Sequence, residues 1–150
     1  MGVSIEILVI KTANVSLEGL KLPFKTAVTL PAQSHRGSSS LWQSDFKRAG
    51  GTLVHIADPE MREDSGPFWA YEILEDIEWR RYRLLPRYKR AFFSLLDSLL
   101  HQSRLNSVLL TSDAQFGPKP LRYARPYSLA GVERLHDQSG LRLNSLMEII

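Results

Sequence analysis

One apolar stripe constrains this chain more than any other feature of it. Tyr88, Ala91, Phe92, Leu95, Leu96, Leu99 and Leu100 recur at intervals of three and four, the repeat that lines one face of an α-helix. Pro86 stands just ahead of them and suits a first helical turn, where its missing N–H leaves nothing unsatisfied. A stripe this wide has to be covered, so the rest of the chain must supply an apolar surface against it. With 150 residues, 43% of them hydrophobic, the chain can build one such core and falls short of two. A single domain over residues 1–150 is expected.

The covering surface reads as strands. Val3 to Lys11 is rich in β-branched residues, Asn14 to Gly19 has turn composition, and Leu22 to Leu30 resumes apolar character, which suggests a strand pair. Pro23 places the start of the second strand at a sheet edge. Pro31 to Ser40 is loop by composition, and Leu41 to Arg48 suits a short helix or irregular segment ended by Gly50-Gly51. Thr52 to Ala57 is a buried-strand candidate stopped by Asp58-Pro59, followed by an acidic loop from Glu60 to Gly66.

A helix opening at Pro67 would put Ala70, Ile73, Leu74 and Ile77 on one stripe, with Glu72, Glu75, Asp76 and Trp79 opposite. After the Pro86 helix come a strand from Ser107 to Thr111, a long loop from Ser112 to Pro126, a helix from Tyr127 to Gln138 ended by Gly140, and a strand from Leu143 to Ile150. The expectation is therefore an α/β or α+β domain, with a mixed sheet of about five strands covered by three main helices.

Several chemistries are excluded. No cysteine is present, so disulfides, thiolate catalysis and cysteine metal sites do not arise. No apolar run approaches the roughly 18 residues of a membrane span. Met1 to Ile10 lacks the cationic lead and small-residue cleavage site of a signal peptide, so a cytoplasmic protein is expected. Neither Gly37-Ser38-Ser39-Ser40 nor Gly50-Gly51 forms a phosphate-cradling loop, and no serine-hydrolase elbow occurs. His35, His55, His101 and His136 form no i, i+4 metal pair; His55 reads as a packed core histidine, and His101 and His136 suit the negative ends of helix dipoles. Asp45-Phe46-Lys47 has an acid-x-Lys spacing used by some nucleases, but it is a common tripeptide outside any strong strand. The expectation is a protein that is not an enzyme and uses no cofactor or metal.

Charge is unevenly distributed. From Asp58 to Glu78 there are eight acids against Arg62 alone, half the acids of the whole chain; from Trp79 to Arg125 there are ten basic residues against Asp97 and Asp113. On the helical reading, Trp79 shares a carboxylate face with Glu72, Glu75 and Asp76. Such an indole is either an interface anchor or is covered by its own chain, for example by Arg83 one turn on. Arg80 to Arg90, interleaved with Tyr82 and Tyr88, can instead be read as a nucleic-acid surface. The long loop adds Phe116, Arg122 and Tyr123 as candidate contacts.

The last third reads Leu-Leu-Thr-Ser-Asp (109–113), Tyr-Ser-Leu-Ala-Gly-Val-Glu-Arg-Leu-His (127–136) and Gly-Leu-Arg-Leu-Asn-Ser-Leu (140–146). It resembles the strand–helix–strand endings of some small bacterial immunity proteins, which guard a cell against its own secreted toxins. That resemblance implies a cytoplasmic, non-catalytic inhibitor that occludes a toxin's active site. The acidic segment then suggests a basic partner, as a nuclease toxin would be. The alternative is a small nucleic-acid-associated protein using the Arg80–Arg90 region.

Overall fold

The structure is a computed structural model and describes residues 5–29, 50–57, 71–73, 81–112, 121–122, 128–142 and 145–150. Among them are nine strands: β1 (Ile5–Ile10), β2 (Lys25–Thr29), β3 (Gly51–Ala57), β4 (Tyr71–Ile73), β5 (Arg81–Leu84), β6 (Val108–Ser112), β7 (Leu121–Arg122), β8 (Leu141–Arg142) and β9 (Ser145–Ile149). Two helices, α1 (Pro86–Gln102) and α2 (Leu129–Ser139), accompany them. The architecture is α+β, with a six-stranded sheet in the order β2-β3-β1-β6-β9-β7 and a three-stranded sheet in the order β4-β5-β8. No helix of the described residues is long and apolar enough to cross a membrane.

The apolar stripe behaves as its spacing requires. Tyr88, Phe92, Leu95, Leu96 and Leu99 are buried on α1 and share one core with Ile5, Ile7 and Val9 of β1, Val54 of β3, Leu110 of β6 and Met147 of β9. The opposite face of the large sheet holds a smaller cluster around Leu8 and Leu53, with Ile10, Leu109 and Leu146 packed against it. Strand alternation thus divides each central strand between two apolar faces.

Two local devices fix the ends. Gln102 clamps the backbone of Ser16, accepting from its N–H at 2.8 Å and donating to its carbonyl at 2.8 Å. Gly51, at φ 129°, faces Val9 so closely that a Cβ there would collide with the Val9 carbonyl oxygen, so only glycine starts β3 without displacing β1.

Several expectations need correction. The first two strands do not pair: β3 lies between them, matching Ile5–Ile10 on one side and Lys25–Thr29 on the other. Thr52 to Ala57 is apolar enough to require partners at both edges, while β2, begun just after Pro23, takes the sheet edge. The helix expected from Pro67 is overturned at Tyr71–Ile73, which is strand β4, paired antiparallel to β5. Tyr71 and Ile73 alternate with Glu72, as do Tyr82 and Leu84 with Arg81 and Arg83, and two matched alternations favour a ladder over an isolated helical turn. The long loop also contains structure, since β7 pairs parallel with β9, Leu121 against Ser145 and Arg122 against Leu146. Three helices and five strands are therefore replaced by a mixed large sheet, a second small sheet and two helices among the described residues. His55 is only half-buried and lies across the sheet from Glu6, Nδ1 to Oε1 3.5 Å, rather than deep in the core.

Leu95 and Leu99 are fully buried in the main core. Replacing either by alanine is expected to cost about 2–5 kcal/mol in denaturant unfolding; an unchanged unfolding midpoint in both variants would contradict this placement of α1.

Candidate functional site

The small sheet and the two helices meet around β5. Its alternation sends Tyr82 and Leu84 into the core and leaves Arg81 and Arg83 half-buried on the other face. In β8, Leu141 is likewise buried and Arg142 half-buried, with Arg142 directly opposite Arg81 in register. One face of the small sheet therefore carries three arginines side by side. The Nε atoms of Arg83 and Arg142 are buried and have no hydrogen-bond partner among the described residues.

Beyond Leu141 the β5–β8 ladder ends, and α2 takes over. The backbone N–H of Leu84 donates to Nε2 of His136 at 3.0 Å, in the place that a further residue of β8 would fill. Because Nε2 accepts, the ring proton is on Nδ1, which donates to Asp137 Oδ1 at 3.1 Å. The imidazole is almost wholly buried and stands edge-on to Phe93 of α1, ring centroids 5.7 Å apart. Burial holds its pKa below the usual histidine range, against the opposing pull of Asp137. The dipole role expected for His136 is thus replaced by a neutral acceptor role. His101 does sit in the last turn of α1, its Nδ1 2.8 Å from the Asp97 carbonyl.

Asp137 also joins the helices. Lys89 of α1 reaches its carboxylate at 2.8 Å and that of Glu133 at 3.5 Å. The hydrogen bond from Lys89 keeps the Asp137 carboxyl below the usual carboxylate range, and the same contact raises the Lys89 ammonium. Above these groups lies an open cleft of about 900 Å³ between α1 and α2, lined by Arg83, Lys89, Arg90, Phe93, Glu133 and His136 among others. A shallower depression of about 670 Å³ lies on the other side of Arg90 and Ser94, against Gly19 to Pro23. Arg87 packs over the Tyr88 ring at 4.4 Å and donates to its hydroxyl.

Both nitrogens of His136 are engaged, and Lys89 and Asp137 neutralise one another, so the described cleft offers no base poised beside a nucleophile. No group of three or more metal-ligating side chains occurs among the described residues.

Of the residues singled out from sequence, Glu72 lies in β4 as the register partner of Arg83, and Arg122 lies in β7 opposite Leu146. They belong to different sheets. Glu75, Asp76, Trp79, Phe116 and Tyr123 lie outside the described residues. Sequence reasoning missed Arg142 and the coupling of His136 to β5. The alternation of Arg81-Tyr82-Arg83-Leu84 was the available signal for the arginine face. The chain matches no protein-family model, no curated protein and no solved structure.

His136 gives the fold a pH dependence whose sign is fixed. A histidine held below its ordinary pKa contributes stability that is complete above about pH 6.5 and is lost as pH falls toward its folded value. His136→Gln keeps an acceptor for Leu84 but does not titrate, so its urea midpoint should fall less steeply below that pH than the wild type's. Equal slopes in the wild type and His136→Gln would refute the assignment.

Proposed function

We propose that this chain is a non-catalytic, protein-binding inhibitor of the immunity type, which neutralises a cognate bacterial toxin in the cytoplasm by occluding its active site. The observation that carries the reading is how the segment behind the resemblance is built. β6 and β9 pair over five positions, from Val108 opposite Ile149 to Ser112 opposite Ser145, and α2 lies between them in the chain. Val108, Leu110, Val132, Met147 and Ile149 of this strand–helix–strand unit are spent on the core. The engagement of His136, Lys89 and Asp137 in structural contacts also favours binding over turnover.

The acidic stretch from Asp58 to Glu78 is the surface offered to a basic toxin, with Glu72, Glu75 and Asp76 steering association and Trp79 as the anchor. This assignment does not need the helix, because steering depends on charge density and not on one helical face. Phe116, Arg122 and Tyr123 form the second contact set.

A different observation favours a second reading, binding of nucleic acid: Arg81, Arg83 and Arg142 share one face of the small sheet, with Arg87 and Arg90 following on α1.

Co-expression with the product of the adjacent gene is the test. Restored growth and a stable complex with the purified toxin are expected. Glu75→Lys with Asp76→Lys should slow association, whereas Trp79→Ala, still folded, should speed dissociation at a cost of about 2 kcal/mol or more. Failure of the wild type to protect overturns the inhibitor reading. Binding of RNA or DNA that falls steeply with salt, and that is lost with the arginines, would establish the second one instead.

A further inference from the structure

We propose that Arg83 and Arg142 form a binding site for a phosphate group on the outer face of the small sheet. The site goes beyond the inhibitor reading and holds whether or not that reading does. Arg142 faces Arg81 directly across the β5–β8 ladder, and Arg83 is the diagonal neighbour two residues along β5. Directly opposed side chains in an antiparallel pair lie within about 5 Å at Cβ and diagonal ones within about 8 Å.

On its other edge, β5 sets Arg83 opposite Glu72 of β4.

The donors themselves identify the ligand. Arginine binds oxyanions best through the edge formed by Nε and one terminal nitrogen, two parallel N–H donors matched to two oxygens. In both Arg83 and Arg142 the Nε is buried and meets no acceptor among the described residues. A buried donor left unmet is costly, and two of them on neighbouring strands are best met by one ligand with several acceptor oxygens. A carboxylate has two oxygens and a single charge, whereas a phosphate monoanion or dianion has enough oxygens for two forks and charge for two guanidinium groups. The β-ladder holds both arginines at fixed spacing, so little conformational freedom is lost on binding.

The phosphate could be free or part of a nucleic-acid backbone, and calorimetry on the full-length chain at fixed ionic strength separates the two. One arm uses inorganic phosphate; the other uses a single-stranded RNA oligomer without terminal phosphates, with phosphate then added as competitor. Saturable binding in either arm is expected, weakened about tenfold or more by Arg83→Gln or Arg142→Gln and unchanged by Arg104→Gln, which lies in an exposed turn after α1.

Phosphate binding that the oligomer does not displace assigns the site to free phosphate or a monoester. Oligomer binding displaced by phosphate assigns it to a backbone phosphate. Arg83→Lys and Arg142→Lys keep the charge and lose the fork, so each should also weaken binding, and these decide the matter if the glutamine variants do not fold. Absence of binding in both arms overturns the proposal, as does binding that survives the lysine substitutions at wild-type strength.

Discussion

Burial of the α1 stripe is the constraint on which the other elements depend. Side chains from β1, β3, β5, β6, α2, β8 and β9 all enter the same core as Tyr88, Phe92, Leu95 and Leu99. The large sheet supplies one wall, and Tyr82, Leu84 and Leu141 of the small sheet supply another. A three-stranded sheet whose strands are two to four residues long has little stability alone. It persists because its inner face completes the cover of a helix that could not otherwise be dry. The outward position of Arg81, Arg83 and Arg142 then follows from strand alternation.

His136 makes that docking specific. Apolar packing alone would let the small sheet slide against α2, since hydrophobic contact has no preferred direction. The hydrogen bond from the Leu84 N–H fixes one register, and Gly140, at φ 73°, turns the chain straight from α2 into β8. Lys89, bonded to Asp137 on the following position, ties the same point to α1. One turn of α2 therefore sets the relation between both helices and the small sheet.

What could be read from the sequence, and what could not, divides along these lines. α1, α2 and the longer strands of the large sheet carry periodic patterns that stand out, so Pro86, Gly140 and the apolar run around Val54 all meant what local rules say. The small sheet carries no such pattern. Tyr71–Ile73 is three residues long, and in that window Ile73, Leu74 and Ile77 fit a helical stripe as well as Tyr71 and Ile73 fit a ladder; the choice is made by β5, which local sequence does not contain. His136 was ambiguous for the same reason, since a helix C-terminus suggests a charged ring and only the distant Leu84 N–H demands a neutral one. Arg142 ends a two-residue strand, and nothing local links it to Arg83. The candidate site was legible as a basic run and illegible as a face.

The place of β1 in the large sheet bears on how the chain is made. β1 pairs with β3 on one edge and with β6 on the other, where Ile5 meets Ser112. During synthesis the β3 edge can close early, but the β6 edge has no partner until about a hundred more residues have left the ribosome. Through that interval the nascent chain shows an open ladder edge flanked by Leu8 and Val9, both fully buried in the finished fold. Loop closure over such a span is slow, and an unpaired apolar strand invites pairing with the wrong chain. Translation speed between β3 and β6 therefore bears on the yield of this protein as well as the stability of its finished core does.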